Sequence, residues 1–99
     1  LGPKDRWTSF SVAKSLTATL FGAAVKDGRL RLSDPVTRFL PELKGSAYDG
    51  VTVEQVLTMS SGVRWNEDYT DPNSDVARMF SLPTAPGEDV IVHYMKRLE

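Results

Sequence analysis

The sequence predicts a mainly α-helical chain that corresponds to the helical region of a larger α+β fold. Several apolar-periodic stretches are bounded by residues that start or end helices, such as Ser, Thr, Asp, Pro and Gly. Only one short run, residues 29–32, alternates with the two-residue period of a strand. The 99 residues are 40% hydrophobic and 25% charged, which is typical of a folded globular unit.

The longest predicted helix covers residues 11–27, and Gly28 follows it as a C-cap. Apolar side chains lie along one face of this helix: Val12, Leu16, Leu20, Ala23 and Ala24. Its other faces carry mostly Ser, Thr, Ala and Gly, so almost no side chain on it requires solvent. We therefore expect a central helix that the remainder of a longer parent chain covers, because 99 residues supply few layers around it.

Shorter elements follow in the middle of the chain. Asp34 and Pro35 predict the N-cap and the first position of a short helix over residues 36–40, which Pro41 ends. Residues 44–50 form a polar loop that ends in glycine.

A second group of helices is predicted after that loop. Residues 52–55 (TVEQ) fit a capping box, in which the Thr and Gln side chains each bond a free backbone N–H, and they open a helix to about residue 59. Residues 60–62 (SSG) read as a C-cap and turn. After a turn-rich stretch, Ser74 or Asp75 caps a helix to about residue 80.

Both ends of the chain indicate a piece of a longer protein. Residues 1–4 hold neither an initiator Met nor the zones of a signal peptide, and the apolar-periodic segment 90–99 carries no C-cap. We expect residues 1–99 to be a single partial domain, truncated at both ends, that combines the long helix with a helical subdomain.

Composition disfavours several function classes. A chain with a formal charge of −1 does not attract the phosphates of nucleic acid or of anionic lipid, so we expect no nucleic-acid partner. The longest uncharged stretch, residues 15–25, is far shorter than the ~20 apolar residues of a membrane span. With no Cys and one His, we expect neither a metal nor a cofactor, while the cellular compartment stays open.

The candidate catalytic pair is Ser11 and Lys14, a Ser-x-x-Lys motif at the start of the longest helix. A spacing of three places both side chains on one helix face. A serine hydroxyl needs a base within hydrogen-bond reach, and a lysine is a base only when it is neutral. Burial and the positive end of the helix dipole both disfavour the charged lysine. The backbone N–H of Ser11 is a candidate oxyanion-hole donor.

The motif alone is not specific. Nine Ser and five Lys in 99 residues give about 0.45 matches by chance. The alternative interpretation is an N-cap serine at position 11, followed by a lysine that extends to solvent.

Segments that follow the motif in order raise its significance. They are residues 26–36 (KDGRLRLSDPV), 39–43 (FLPEL) and 51–62 (VTVEQVLTMSSG). With the Ser-x-x-Lys helix start, they resemble the class C-like branch of the serine β-lactamase and DD-peptidase superfamily. Residues 63–72 (VRWNEDYTDP) are most similar to its 6-aminohexanoate-dimer hydrolase and carboxylesterase subgroup.

The resemblance implies the helical region of an α+β, β-lactamase/transpeptidase-like fold and a serine hydrolase acting on a small-molecule ester or amide. By this resemblance Ser11 is acylated and Lys14 assists proton transfer. In the dimer-hydrolase subgroup a loop tyrosine approaches the bound substrate, which points to Tyr69 as a substrate-binding residue. The alternative for Tyr69 is a loop aromatic packed on Trp65.

Two motifs of the family are absent from the chain. No Tyr fits the second motif, Tyr-x-Asn, whose phenol shares the proton with Ser and Lys. The third motif, Lys or His followed by Thr/Ser-Gly, is missing as well. We therefore expect the 99 residues alone to be inactive.

A second function class remains open: a non-catalytic binding or structural module that uses the loop of residues 62–75. His93 is interpreted as a helix-surface or interface residue, because no acidic or Ser partner lies at a useful spacing. Trp7 and Trp65 are interpreted as packing residues.

Overall fold

The computed structural model describes all 99 residues and is helical, with four α-helices and no strand. The helices are α1 (Val12–Lys26), α2 (Val53–Leu57), α3 (Asp75–Met79) and α4 (Val90–Met95). Two 3-10 helices, Val36–Arg38 and Pro41–Leu43, precede α2. The predicted mainly α fold class is therefore confirmed. No helix is long and apolar enough to cross a membrane.

The chain divides into two compact units, Leu1–Arg31 and Leu32–Glu99. In the first unit, α1 ends as predicted at a glycine. Gly28 has a φ of 71°, and its N–H bonds to the carbonyl of Val25 at 3.0 Å. The N–H of Arg29 bonds to the carbonyl of Ala24 at 2.9 Å, which completes a Schellman motif.

No side chain of α1 is buried. Its apolar residues Val12, Leu16 and Leu20 are 68%, 67% and 70% exposed. The apolar face of α1 is therefore open to solvent in the 99 residues.

The second unit contains the apolar core of the chain. Leu43 is fully buried, and the other core side chains are at most 6% exposed: Val51, Val53 and Tyr94. The two 3-10 helices pack against each other, and α4 contacts both α3 and the second 3-10 helix. This core lies between elements that are distant in sequence.

The start of α2 is fixed by the predicted capping box. The Thr52 hydroxyl accepts from the N–H of Gln55 at 3.2 Å, and the Gln55 side chain accepts from the N–H of Thr52 at 3.0 Å. A single β-bridge pairs Thr52 with Pro35. The N–H of Val36 bonds to the carbonyl of Val51 at 2.8 Å beside this bridge. Backbone pairing and the cap therefore act together on α2.

The prediction that Asp34 caps a helix is wrong. Pro35 occupies the N-cap position of the 3-10 helix with an extended ψ of 141°, and no side chain caps it. The Asp34 carbonyl instead accepts from the N–H of Val53 at 2.9 Å, and its carboxylate pairs with Arg38 at 2.9 Å. Residues 29–32, predicted as extended, form no strand. At Asp34, backbone pairing with Val53 therefore replaces the predicted cap.

The cap of α3 is Ser74, one of the two predicted residues. Its hydroxyl accepts from the N–H of Ala77 at 3.3 Å, and Ser74 is fully buried. Asp89 caps α4 by accepting from the N–H groups of Ile91 and Val92 at 2.9 and 3.0 Å. Both caps place an oxygen acceptor at the positive end of a helix.

Candidate active site

Ser11 and Lys14 contact each other at the start of α1. The Lys14 Nζ donates to Ser11 Oγ at 3.1 Å. Ser11 immediately precedes the helix, with φ −68° and ψ −10°. The three-residue spacing therefore brings the hydroxyl and the amine within hydrogen-bond reach, which is the distance that a proton transfer between them requires.

The Ser11 hydroxyl is not used as a helix cap. A capping serine has extended backbone angles and accepts from an N–H in the first turn. Ser11 has helical angles instead, and its side chain makes no capping bond. The preceding residue, Phe10, has a φ of 48°, a left-handed conformation that costs about 1–2 kcal/mol for a residue with a Cβ. The oxygen of Ser11 is thus directed to Lys14 rather than to the backbone.

Lys14 is exposed in these 99 residues. The 99 residues therefore do not bury this amine. Phe10 and Val12, the sequence neighbours of Ser11, line an open hollow together with Arg6 and Trp7. Trp7 and Phe10 are 79% and 83% exposed, so the 99 residues do not bury Trp7 as a packing residue.

Tyr69 lies in an exposed loop and is itself 76% exposed. Its hydroxyl donates to Glu67 Oε1 at 2.9 Å. The bond to this carboxylate, with its negative charge, raises the pKa of Tyr69 above the usual value. The alternative that Tyr69 packs on Trp65 is not realised, because the Trp65 ring contacts Tyr94 instead, edge to face with 6.1 Å between the ring centroids. Tyr69 therefore presents a free aromatic face to solvent.

Asp75 joins two segments that sequence reasoning did not connect. Its Oδ2 accepts from the N–H of Asn66 at 2.7 Å, and its Oδ1 accepts from the hydroxyl of Tyr94 at 2.8 Å. Burial, and then the bond to Asp75, raise the pKa of Tyr94. The sequence offered Asp75 only as a possible cap, and no local pattern pairs it with a residue 19 positions away.

Glu88, which precedes α4, forms a cluster with His93 and Lys96, called here the Glu88 cluster. Its Oε1 lies 2.8 Å from His93 Nδ1 and 3.0 Å from Lys96 Nζ. The contact between His93 Nδ1 and Glu88 Oε1 is short enough for an ion pair, but its angle is not that of a hydrogen bond. These two contacts lower the pKa of Glu88 to about 2. The interpretation that His93 lacks an acidic partner is therefore wrong, because α4 turns its side chain back to Glu88.

The contact between Lys14 and Ser11 defines a class of protein. In this class a lysine amine is hydrogen-bonded to a serine hydroxyl at the start of a helix. No group of His, Asp or Glu side chains forms a set of metal ligands. The pair is suited to acyl transfer, in which the amine takes the hydroxyl proton while the oxygen attacks a carbonyl.

Comparison with known proteins shows the family to which the chain belongs. The family model described as Beta-lactamase matches residues 1–99, so the chain belongs to the β-lactamase family. Within that superfamily, which also includes transpeptidases, the chain corresponds to the helical region of the fold.

Individual relatives are similar over part of this chain. A 6-aminohexanoate-dimer hydrolase from Paenarthrobacter ureafaciens is 50% identical over 74 residues, which are 75% of this chain and 19% of that protein. A Beta-lactamase from Providencia stuartii is 47% identical over 53 residues, 54% of this chain and 14% of that protein. A Beta-lactamase from Pseudomonas fluorescens is 42% identical over 52 residues, which are 52% of this chain and 14% of that protein. The chain thus spans less than a fifth of the length of these relatives.

Proposed function

We propose that the full-length protein is a serine hydrolase that cleaves ester or amide bonds through an acyl-serine intermediate. The observation that carries the proposal is the 3.1 Å contact between Lys14 Nζ and Ser11 Oγ in a chain of the β-lactamase family. Ser11 is the nucleophile and Lys14 the base.

The chemistry follows from the two side chains. The neutral Lys14 amine takes the proton of Ser11 Oγ as this oxygen bonds to the substrate carbonyl carbon. The carbonyl electrons move to oxygen, where the backbone N–H of Ser11 helps to stabilise the charge, since the N–H groups of Val12, Ala13 and Lys14 already donate to carbonyls. Collapse of this intermediate breaks the bond to the leaving group, which takes the proton. Water then hydrolyses the Ser11 ester by the same route and restores both residues.

A neutral lysine requires a drier environment than these residues provide. We propose that parts of the full-length protein outside these residues cover the exposed face of α1. Covering Val12, Leu16 and Leu20 would bury apolar surface and would also desolvate Lys14, which disfavours its charged form. The tyrosine motif and the third family motif are expected in those parts as well.

A linear amide is the substrate class that we propose. The relative that matches 75% of the chain is named for the 6-aminohexanoate dimer, and the relatives named Beta-lactamase match 52–54%. Tyr69 is proposed to contact this substrate, and its 76% exposure leaves the ring accessible for that contact.

The direct test is covalent labelling of the full-length protein with a fluorophosphonate probe. We expect the label on the peptide that contains Ser11, and we expect Ser11→Ala to abolish it. Ser15→Ala is the matched control, because it makes the same change one turn further along α1. Labelling that persists in Ser11→Ala would refute the acyl-serine mechanism and leave a non-catalytic module, acting through residues 62–75, as the better account.

Rates with three substrates test the substrate class. The linear 6-aminohexanoate dimer, a p-nitrophenyl ester and a penicillin each offer the serine a carbonyl, with different leaving groups. We expect kcat/KM for the linear amide to fall when Tyr69 is changed to Ala, while the rate with the small ester changes little. A penicillin turned over faster than the linear amide would contradict the proposed substrate class.

A further inference from the structure

The loop that carries Tyr69 is closed at its two ends by hydrogen bonds. The N–H of Asn66 donates to Asp75 Oδ2 at 2.7 Å. In the opposite direction, the N–H of Val76 donates to the carbonyl of Asn66 at 3.2 Å. The two ends of the loop of residues 66–75 therefore lie next to each other, and the Asp75 carboxylate lies where they meet.

The same carboxylate is held from a second side by α4. Tyr94 donates its hydroxyl to Asp75 Oδ1 at 2.8 Å and is only 4% exposed. Trp65, which precedes the loop, packs on the Tyr94 ring with its plane at 90°. Both oxygens of Asp75 are thus occupied, one by the start of the loop and one by the core of the second unit. The closure of the loop is in this way connected to the buried part of the chain.

Within the loop, short-range polar bonds replace apolar packing. Asn66 Oδ1 accepts from the N–H of Asp68 at 3.0 Å, and Asp68 Oδ1 accepts from the N–H of Thr70 at 2.9 Å. The Thr70 hydroxyl bonds to the same oxygen at 2.7 Å. These turns shape the loop locally, but exposed polar turns contribute little burial to fix it against the rest of the unit. The orientation of the whole loop therefore depends on its closed ends.

We propose that Asp75 is a positioning residue: by joining Asn66 to Tyr94 it holds the loop in the conformation in which Tyr69 meets the substrate. The proposal rests on the proposed function, since it concerns how the substrate-contacting residue is oriented. Asp75 itself does not take part in the acyl transfer. Its effect is to keep the binding-competent loop conformation populated, and the apparent affinity for a ligand falls in proportion to that population.

Replacement of Asp75 by Ala in the full-length protein tests the role. The change removes both acceptor oxygens. We expect it to raise KM for the linear amide about tenfold, which corresponds to a loop that occupies its binding-competent conformation about one tenth of the time. We expect kcat for a small p-nitrophenyl ester to stay within about twofold, because that substrate does not depend on Tyr69. An unchanged KM for the amide would overturn the proposal.

A conservative variant controls for misfolding. In Asp75→Asn the amide oxygen accepts from the Asn66 N–H, and the amide nitrogen donates to the Tyr94 hydroxyl, which can accept. Both connections are kept, so KM is expected to remain within about threefold of the original value. A KM as high as that of Asp75→Ala would contradict the proposed bonding.

A double-mutant cycle separates positioning from general stability. In a protein that already carries Tyr69→Ala, the further change Asp75→Ala is expected to alter KM less than twofold, because the residue that it positions is gone. A purely structural Asp75 would give the same loss in both backgrounds, and that result would overturn the proposal.

Amide hydrogen exchange provides a readout that does not depend on catalysis. Asp75→Ala is expected to speed exchange in residues 67–74, and Asp75→Asn is expected not to. Equal exchange in Asp75→Ala and the original protein would overturn the positioning role alone. Absence of probe labelling at Ser11 would instead defeat the proposed hydrolase function, so the two failures are distinguishable.

Discussion

Ser11 forms the covalent bond in the proposed mechanism, so no neighbouring group can replace its oxygen. We expect Ser11→Ala to reduce hydrolysis of p-nitrophenyl esters by the full-length protein to background. The hydroxyl makes no capping bond to α1, so its loss should leave the thermal unfolding midpoint nearly unchanged. Ester hydrolysis at the original rate in the folded variant would eliminate Ser11 as the nucleophile.

Lys14 contributes a proton transfer, and other groups can partly compensate for its loss. We expect Lys14→Ala to lower kcat by roughly 10²- to 10⁴-fold, the range for a removed general base. Substrate positioning and oxyanion stabilisation survive the change, so a residual rate should remain. Lys26→Ala, in the last turn of the same helix, is the matched control and should retain activity. Equal rates for the two variants would argue against Lys14 as the base.

At the level of single elements, the capping box at Thr52 stabilises α2, a helix of only five residues. Thr52→Ala removes the side-chain acceptor for the Gln55 N–H and is expected to cost about 1 kcal/mol in the free energy of unfolding. Thr52→Ser keeps the hydroxyl and should restore most of that loss. Denaturant unfolding of both variants provides the measurement. If Thr52→Ser loses as much free energy of unfolding as Thr52→Ala, the methyl group rather than the cap stabilises α2.

The Glu88 cluster makes the stability of the α4 region depend on pH. The contacts with His93 and Lys96 lower the pKa of Glu88 from 4.5 to about 2 in the folded chain. Between these values the unfolded chain binds more protons than the folded one, so stability rises with pH across this window. The contribution is complete above about pH 4.5 and is lost as the pH falls toward 2.

Glu88→Gln tests this dependence. We expect the variant to have a lower unfolding midpoint than the original protein at about pH 6, and we expect the difference to shrink as the pH falls through 4.5 toward 2. Glu42→Gln, an exposed residue of the second 3-10 helix, is the control. A difference that grows on acidification would contradict the assignment of the low pKa to Glu88.

For the whole molecule, the apolar face of α1 is exposed in the 99 residues, and we propose that it is covered in the full-length protein. Leu16 is 67% exposed here, so Leu16→Ala should change the stability of the 99-residue chain by less than about 0.5 kcal/mol. If other parts of the full-length protein cover α1, the same change there should cost about 2–5 kcal/mol, as for a buried leucine. Similar small effects in both settings would refute the proposed covering of α1.

Local signals predicted the elements whose bonds are local. The helix start at Thr52 and the end of α1 at Gly28 depend on residues within a few positions, and both are observed. Asp34 was predicted wrongly because its carbonyl pairs with Val53, a contact across 19 positions that no local pattern contains. The same limit applies to Asp75 with Tyr94 and explains why the anchoring of the loop could not be predicted.

By itself the sequence determined the helical class, the family resemblance and the Ser-x-x-Lys spacing, because each depends on residue type at short intervals along one chain. The i, i+3 spacing then allows the contact between Ser11 and Lys14 on one helix face. Only the tertiary structure decided that Asp75 joins Asn66 to Tyr94. The contact between Asp75 and Tyr94 depends on how the chain folds back to the core at Leu43 and Tyr94, and burial there is a property of the packed unit rather than of any single segment.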